Sequence, residues 1–230
     1  MRKYNKIRGN WFSNLSIVGW FILVTIIFSL LSFIVFIFPE GINYLALKPT
    51  NIMQGKYFWT ILTHMFVHGG IFHLFINMFV LFSLGSLSEK IIGRKRFFWF
   101  YILSGIFAAI LSVLLPALYG STPWGARIFG SPDVYMVGAS GAIFAIAGLF
   151  VMLLPKLRFM IIFLPFFSLP AYVMVPLVLF ATWLATIAGN FPIGNVAHFG
   201  GFIAGLAYGL YLKIKYKKKV ITLQRMFMSR

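Results

Sequence analysis

Residues 159–212 run for 54 positions without a formal charge. About 20 apolar residues suffice to cross the hydrocarbon of a bilayer, so this stretch is too long for one membrane helix and suits two. Gly, Asn and Pro cluster at 189–195, where helices tend to end, and the break is placed there. Similar charge-free runs lie near 17–38, 69–88, 97–118 and 134–154, with the divided stretch giving 169–188 and 196–212. The expected fold is therefore an all-α, polytopic, six-transmembrane-helix bundle. Composition agrees: 61% hydrophobic and 10% charged residues do not describe a soluble domain.

The basic residues then fix an expected orientation. Twenty Lys and Arg stand against three acids, a net charge of +17 that by itself would suit a nucleic-acid binder. Here the charges sit in short clusters between apolar runs, as in cytoplasmic membrane loops, so no nucleic-acid partner is expected. Seventeen of the twenty fall on one face of a six-span layout. That places both termini in the cytoplasm. The first run is too long for a signal-peptide core and reads as a retained span. The organisation expected is a basic leader (1–16), a helical membrane domain (17–212) and a basic tail (213–230) read as a solvated or headgroup-binding extension. The prolines at 165, 170 and 176 make the approach to the fifth span and the span itself the least regular part. There are no cysteines, which removes disulfides and thiolate metal sites.

Polar side chains inside spans are costly and are retained for function or for pairing. On this layout Ser140 lies about six residues into the fourth span, roughly 9 Å deep at 1.5 Å per residue. His198 lies just inside the sixth span, and His73 and Asn77 share one face of the second. All four fall in the outer leaflet. A Ser and a His within hydrogen-bond reach can serve as nucleophile and general base, and His73, Asn77 and the Ser140 amide can donate to an oxyanion. Glu40 and Asp133 lie in outer loops and Glu89 at the cytoplasmic end of the second span, so the arrangement expected is a dyad.

These residues resemble the rhomboid family of intramembrane serine proteases. The resemblance is carried by His73-Leu-Phe-Ile-Asn77, by Gly138-Ala-Ser140-Gly141, by Ala197-His198-Phe-Gly-Gly201-Phe-Ile-Ala-Gly205, and by Glu89 between Gly85 and Gly93. It implies cleavage of the transmembrane segments of other membrane proteins through an acyl-enzyme, without cofactor or metal. Ser140 is then the nucleophile, His198 the general base and acid, and His73 and Asn77 the oxyanion donors. Substrate helices would enter sideways past the fifth helix. Gly138 and Gly141, with Gly201, Gly205 and Gly209, read as packing residues that let the fourth and sixth helices approach closely. Two departures stand out: Trp59-Thr60 replaces a frequent Trp-Arg pair in the first outer loop, and Phe144 replaces a frequent Tyr one turn after the serine.

Other classes fit less well. His64 and His68 have i, i+4 spacing, but no His-Glu-x-x-His run supports a zinc protease; their expected role is to hydrogen-bond the outer loop to the bundle. A nucleophile elbow needs glycine at 142, which is Ala. A transporter would carry polar residues through both leaflets. A catalytically inactive, rhomboid-like helix-binding protein would be expected to lack Ser140 or His198. The lipid bilayer of the cell membrane is the expected setting.

Overall fold

The computed structural model describes residues 15–161, 164–189 and 193–228. The basic residues expected in the leader, Arg2, Lys3, Lys6 and Arg8, lie outside them, as does Arg230 of the tail.

Among the described residues, four helices are long and apolar enough to cross a membrane: α1 (Ile17–Val35), a rod over Ile71–Ile92, α7 (Arg94–Tyr119) and α10 (Ala171–Gly189). The rod is α5 (Ile71–Val80) and α6 (Ser86–Ile92) joined by a π turn at Leu81–Gly85. Short helices fill the loops at the Ser140 end of the bundle: α2 (Gly41–Leu45), α3 (Pro49–Met53), α4 (Thr60–Thr63) and α8 (Pro123–Phe129). At the centre stands α9 (Ser140–Leu153), most of whose residues are buried. Against it lies α11 (Asn195–Lys215), which has the length of a span but carries Asn195, His198, four glycines and two closing lysines that lower its hydropathy.

Packing of α9 on α11 follows from the glycines. A Cβ placed on Gly201 would lie 1.8 Å from the Gly141 carbonyl oxygen, and one on Gly205 would lie 2.0 Å from that of Ala145. On the opposite face, a Cβ on Gly148 would meet the Phe202 carbonyl at 2.4 Å. No side chain fits between these backbones. The two helices therefore sit closer than Leu- or Phe-lined helices can, and the ends bearing Ser140 and His198 are brought together.

The N-terminus of α1 is tied to α6 by Glu89. Its buried carboxylate accepts the Ile17 and Val18 N–H groups at 3.0 and 2.9 Å, and Arg94 stands 3.8 Å away. Those N–H groups have no partner within the helix, and a carboxylate also complements the helix dipole. Glu89→Ala is expected to cost about 3 kcal/mol, the loss of two charge-assisted bonds, read as a lower thermal midpoint in detergent.

Two expectations need correction, and a third gains detail. The fourth apolar run does not become helical until Ser140; residues 134–139 are extended or turn, with Met136 paired to Leu47 through two backbone bonds of 2.8 and 2.9 Å. The proline-containing approach to the fifth span is an antiparallel hairpin, β1 (Arg158–Ile161) and β2 (Leu164–Pro170), with an irregular register after Met160. The tail, expected as a solvated or headgroup-binding extension, takes up helix while its Lys217, Lys218, Lys219 and Arg225 stay exposed. After Lys215 the chain turns into α12 (Lys217–Met228), which buries Val220 and directs the Gln224 amide onto the Leu153 carbonyl at the end of α9.

Candidate active site

Ser140 is the first residue of α9, and Ala139 occupies the cap position before it. The depth expected from counting residues into a helix therefore does not apply, because the preceding chain is not helical. Gly138 likewise is no helix-packing residue. It sits in the loop with φ +121°, and a Cβ there would lie 2.9 Å from His73 Cε1. Only glycine accepts both that dihedral and the imidazole laid against it.

Two histidines of the loop before α5 and the backbone hold this segment. The Gly138 N–H donates to the His64 carbonyl at 2.9 Å, and the His64 Nδ1–H donates to the Thr60 carbonyl at 2.9 Å. The Ser29 hydroxyl of α1 donates to the Phe66 carbonyl at 3.1 Å and lies 3.0 Å from His68 Nδ1. With the hydroxyl proton so committed, His68 carries its own proton on Nδ1 and donates it to Ser29. Its Nε2 is left to accept the Ala139 N–H, at a long 3.4 Å. The expected role of His64 and His68 thus takes concrete form: they fasten the backbone immediately before Ser140. Ser29 was not anticipated; its signal was a serine on the buried side of an otherwise apolar helix, beside Thr25 and Ser32.

Burial keeps both imidazoles neutral, pushing His64 down to about 4, and pushing His68 down to about 3 with His73 adding to the effect. Their ordinary value is 6.5, so the unfolded chain takes up protons that the folded one refuses. The stability gained above that value is expected to fade as pH drops from there through the folded values. Protonated His68 also has no lone pair for Ala139. In thermal melts, His68→Ala should show a smaller acid slope. Its stability at neutral pH should already be lower, by roughly 1–3 kcal/mol for the stranded Ala139 N–H, with a lower melting midpoint.

Across from Ser140, His198 is buried in the first turn of α11. Its Nε2 lies 2.8 Å from Ser140 Oγ, and the Phe144 ring stacks on the imidazole at 4.4 Å between centroids and 24° between planes. Phe144 thus packs on His198 without needing a hydroxyl. The His198 Nδ1 is buried with no hydrogen-bond partner among the described residues. The chain has three acidic side chains, and each is engaged elsewhere. Glu89 caps α1, Glu40 accepts from Asn43 at 2.7 Å, and Asp133 pairs with Lys48 at 3.3 Å. The pair is thus a dyad in geometry.

His73 and Asn77 come from α5. The His73 ring stands edge-on to His68 at 5.0 Å and against Gly138. Asn77 is buried and donates one amide N–H to the His73 carbonyl at 2.9 Å; an amide has a second N–H to offer. In the loop between α1 and α5, Thr60 stands where the rhomboid pattern often has an arginine. Its hydroxyl bonds the Tyr57 carbonyl at 2.7 Å, and Trp59 Nε1 donates to the Tyr44 carbonyl at 2.8 Å. The loop is braced without a guanidinium.

Comparison with known proteins agrees with the fold. A family model described as Rhomboid domain matches residues 55–215. RHOMBOID-like protein 4 of Arabidopsis thaliana is 30% identical over 170 residues, covering 74% of this chain and 38% of the relative. RHOMBOID-like protein 6, mitochondrial, from the same plant is 31% identical over 173 residues, covering 73% and 48%. Rhomboid protein 1, mitochondrial, of Saccharomyces cerevisiae is 28% identical over 168 residues, covering 70% and 43%. The chain spans less than half the length of these curated relatives. A family match over well more than half of the chain, with a fold that packs the motif-bearing helices together, means that this membrane protein belongs to the rhomboid family.

Proposed function

We propose that this chain is an intramembrane serine endopeptidase that cleaves transmembrane segments of other membrane proteins. The observation that carries the reading is the 2.8 Å separation of Ser140 Oγ and His198 Nε2. As substrate binds, Ser140 Oγ attacks the scissile carbonyl and gives its proton to His198 Nε2. The oxyanion that forms takes hydrogen bonds from the Ser140 N–H, which has no partner inside α9, from His73 and from the second N–H of Asn77. The imidazolium returns the proton to the leaving nitrogen as the C–N bond breaks, leaving an ester on Ser140. Water then attacks the ester, with His198 taking its proton and handing it back to Ser140 Oγ. The stacked Phe144 ring holds the imidazole plane throughout.

The proposed setting is a cell membrane crossed six times, with both termini in the cytoplasm. Helix α9, at 14 residues, is only about 21 Å long against a hydrocarbon core of about 30 Å. The extended segment before Ser140 makes up the remainder on the outer side. Lateral entry past α10 suits its loose embedding: 22% of its apolar window is buried, half of the 44% for α7. Near its outer end α10 is held by a bond from Trp183 Nε1 to the Ile128 carbonyl at 2.7 Å, a bond from Asn195 Nδ2 to the Thr186 hydroxyl at 2.8 Å and the Trp183 ring edge-on to Phe199 at 5.7 Å.

Proteoliposomes holding the purified chain and a single-span reporter test the reading. The expected product has a new N-terminus in the outer half of the span; an intact reporter across varied spans would contradict it. In the same assay Asn77→Ala is expected to lower turnover roughly 10²- to 10³-fold. An unchanged rate would reassign Asn77 to its bond with the His73 carbonyl.

A further inference from the structure

The end of the bundle away from Ser140 carries most of the charge. Lys90, Arg94, Lys95 and Arg96 come from the α6–α7 turn, and Lys213, Lys215 and Lys217–Lys219 from the end of α11 and the start of α12. Between α7 and α11 at this end is a groove of about 530 Å³. Lys95 and Arg96 line it together with Trp99, Phe100, Leu103 and Tyr208. Tyr208 of α11 stacks on Phe100 of α7 at 4.9 Å and 21°, an aromatic bridge between the two helices that the groove runs across. The Ser104 hydroxyl beneath is turned onto the Phe100 carbonyl at 2.6 Å, so the floor presents little polarity.

Charge and shape together select the occupant. Arg96 is held in place by the Tyr216 hydroxyl at 3.0 Å and by the Tyr216 ring 5.1 Å below its guanidinium. A guanidinium has five N–H donors, so others remain for an anion. Below the cations the groove is apolar from the level of Lys95 to that of Ser104, about 13 Å at 1.5 Å per residue. That is the profile of a phosphate followed by the upper part of an acyl chain. A soluble anion would leave the apolar length unfilled, and a neutral headgroup would leave the cations unmatched. Half-exposed Trp99 stands where indoles favour the water–lipid boundary, and basic pockets between membrane helices suit anionic headgroups.

We propose that the α7–α11 groove binds one anionic glycerophospholipid, its phosphate on Lys95 and Arg96 and one acyl chain along Phe100, Leu103 and Tyr208. The site is remote from Ser140 and stands whether or not the dyad is active. It is tested by native mass spectrometry of the full chain released from micelles containing phosphatidylglycerol or phosphatidylcholine with the same chains. The wild type should retain one phosphatidylglycerol in preference to phosphatidylcholine. Lys95→Gln with Arg96→Gln should weaken retention about thirtyfold, roughly fivefold per basic group. Lys217→Gln with Lys218→Gln removes equal charge from α12 and should leave retention near wild type. Ala204→Phe fills the groove while keeping both cations and should also abolish retention, which covers the case of a double variant that does not fold. Equal retention of the two lipids, wild-type retention by Ala204→Phe, or displacement by inorganic phosphate alone would overturn the assignment.

Discussion

Ser140→Ala is expected to lower reporter cleavage on the order of 10⁴-fold or more while the protein keeps its fold. The substitution removes one oxygen, and that oxygen's bond in the structure is to His198 Nε2. Losing a single partly exposed hydrogen bond costs about 1 kcal/mol, which is small beside the packing of α9. The backbone at 138–140 is held by the Gly138 and Ala139 N–H groups, not by the serine side chain. Activity and stability are therefore predicted to separate in this variant. Thermal melts and cleavage measured on the same preparation check that separation; a variant that cleaves at the wild-type rate would sink the proposed dyad.

Gly201→Ala is expected to do the reverse and lose both together. A single methyl group there would sit 1.8 Å from the Gly141 carbonyl oxygen, which is backbone and has no rotamer to escape into. Helices α9 and α11 would have to separate, at a cost of roughly 3 kcal/mol or more. The movement would draw His198, three residues before Gly201, away from Ser140. Gly70→Ala provides the contrast, because nothing lies within 4 Å of its Cβ position, and its melt should change by well under the Gly201 effect. Similar midpoints for the two variants would mean that α9 and α11 yield more easily than their backbone contacts imply.

Sequence pattern captured the helices whose apolar runs are bounded by charge. The start of α7 falls at the Arg94–Arg96 cluster, and the start of α11 at the Gly-Asn-Pro break that marked it. It also captured the approach of α9 and α11, since glycines four apart leave a continuous strip of backbone. What it missed follows from what hydropathy ignores. Residues 134–139 are as apolar as a helix, yet Gly138 at φ +121° and the pairing of Met136 with Leu47 keep them extended. The β1–β2 hairpin hid for the same reason: its residues are apolar and their prolines signalled irregularity without naming a strand pair. In the tail, clustered lysines concealed Val220 and Gln224, whose contacts are with α9 and its surroundings.

At the candidate site, Ser140, His198 and Phe144 were legible as neighbours because each lies in or one turn beyond a motif at the start of α9 or α11, even though α9 begins at Ser140 and not at residue 134. The tie from Ser29 through His68 to Ala139 was not. It joins three parts of the chain by hydrogen bonds, and no local spacing records such a link. Glu89 could be placed at the right end of its span, but its use as the cap of α1 needed coordinates.

Labelling with a fluorophosphonate probe tests the central claim most directly, because it reports an activated serine without requiring the natural substrate. The detergent-purified chain should be labelled at Ser140, and neither Ser140→Ala nor His198→Ala should react at a comparable rate. An unlabelled wild type with a normal thermal midpoint, or a His198→Ala variant labelled as fast as wild type, would contradict it.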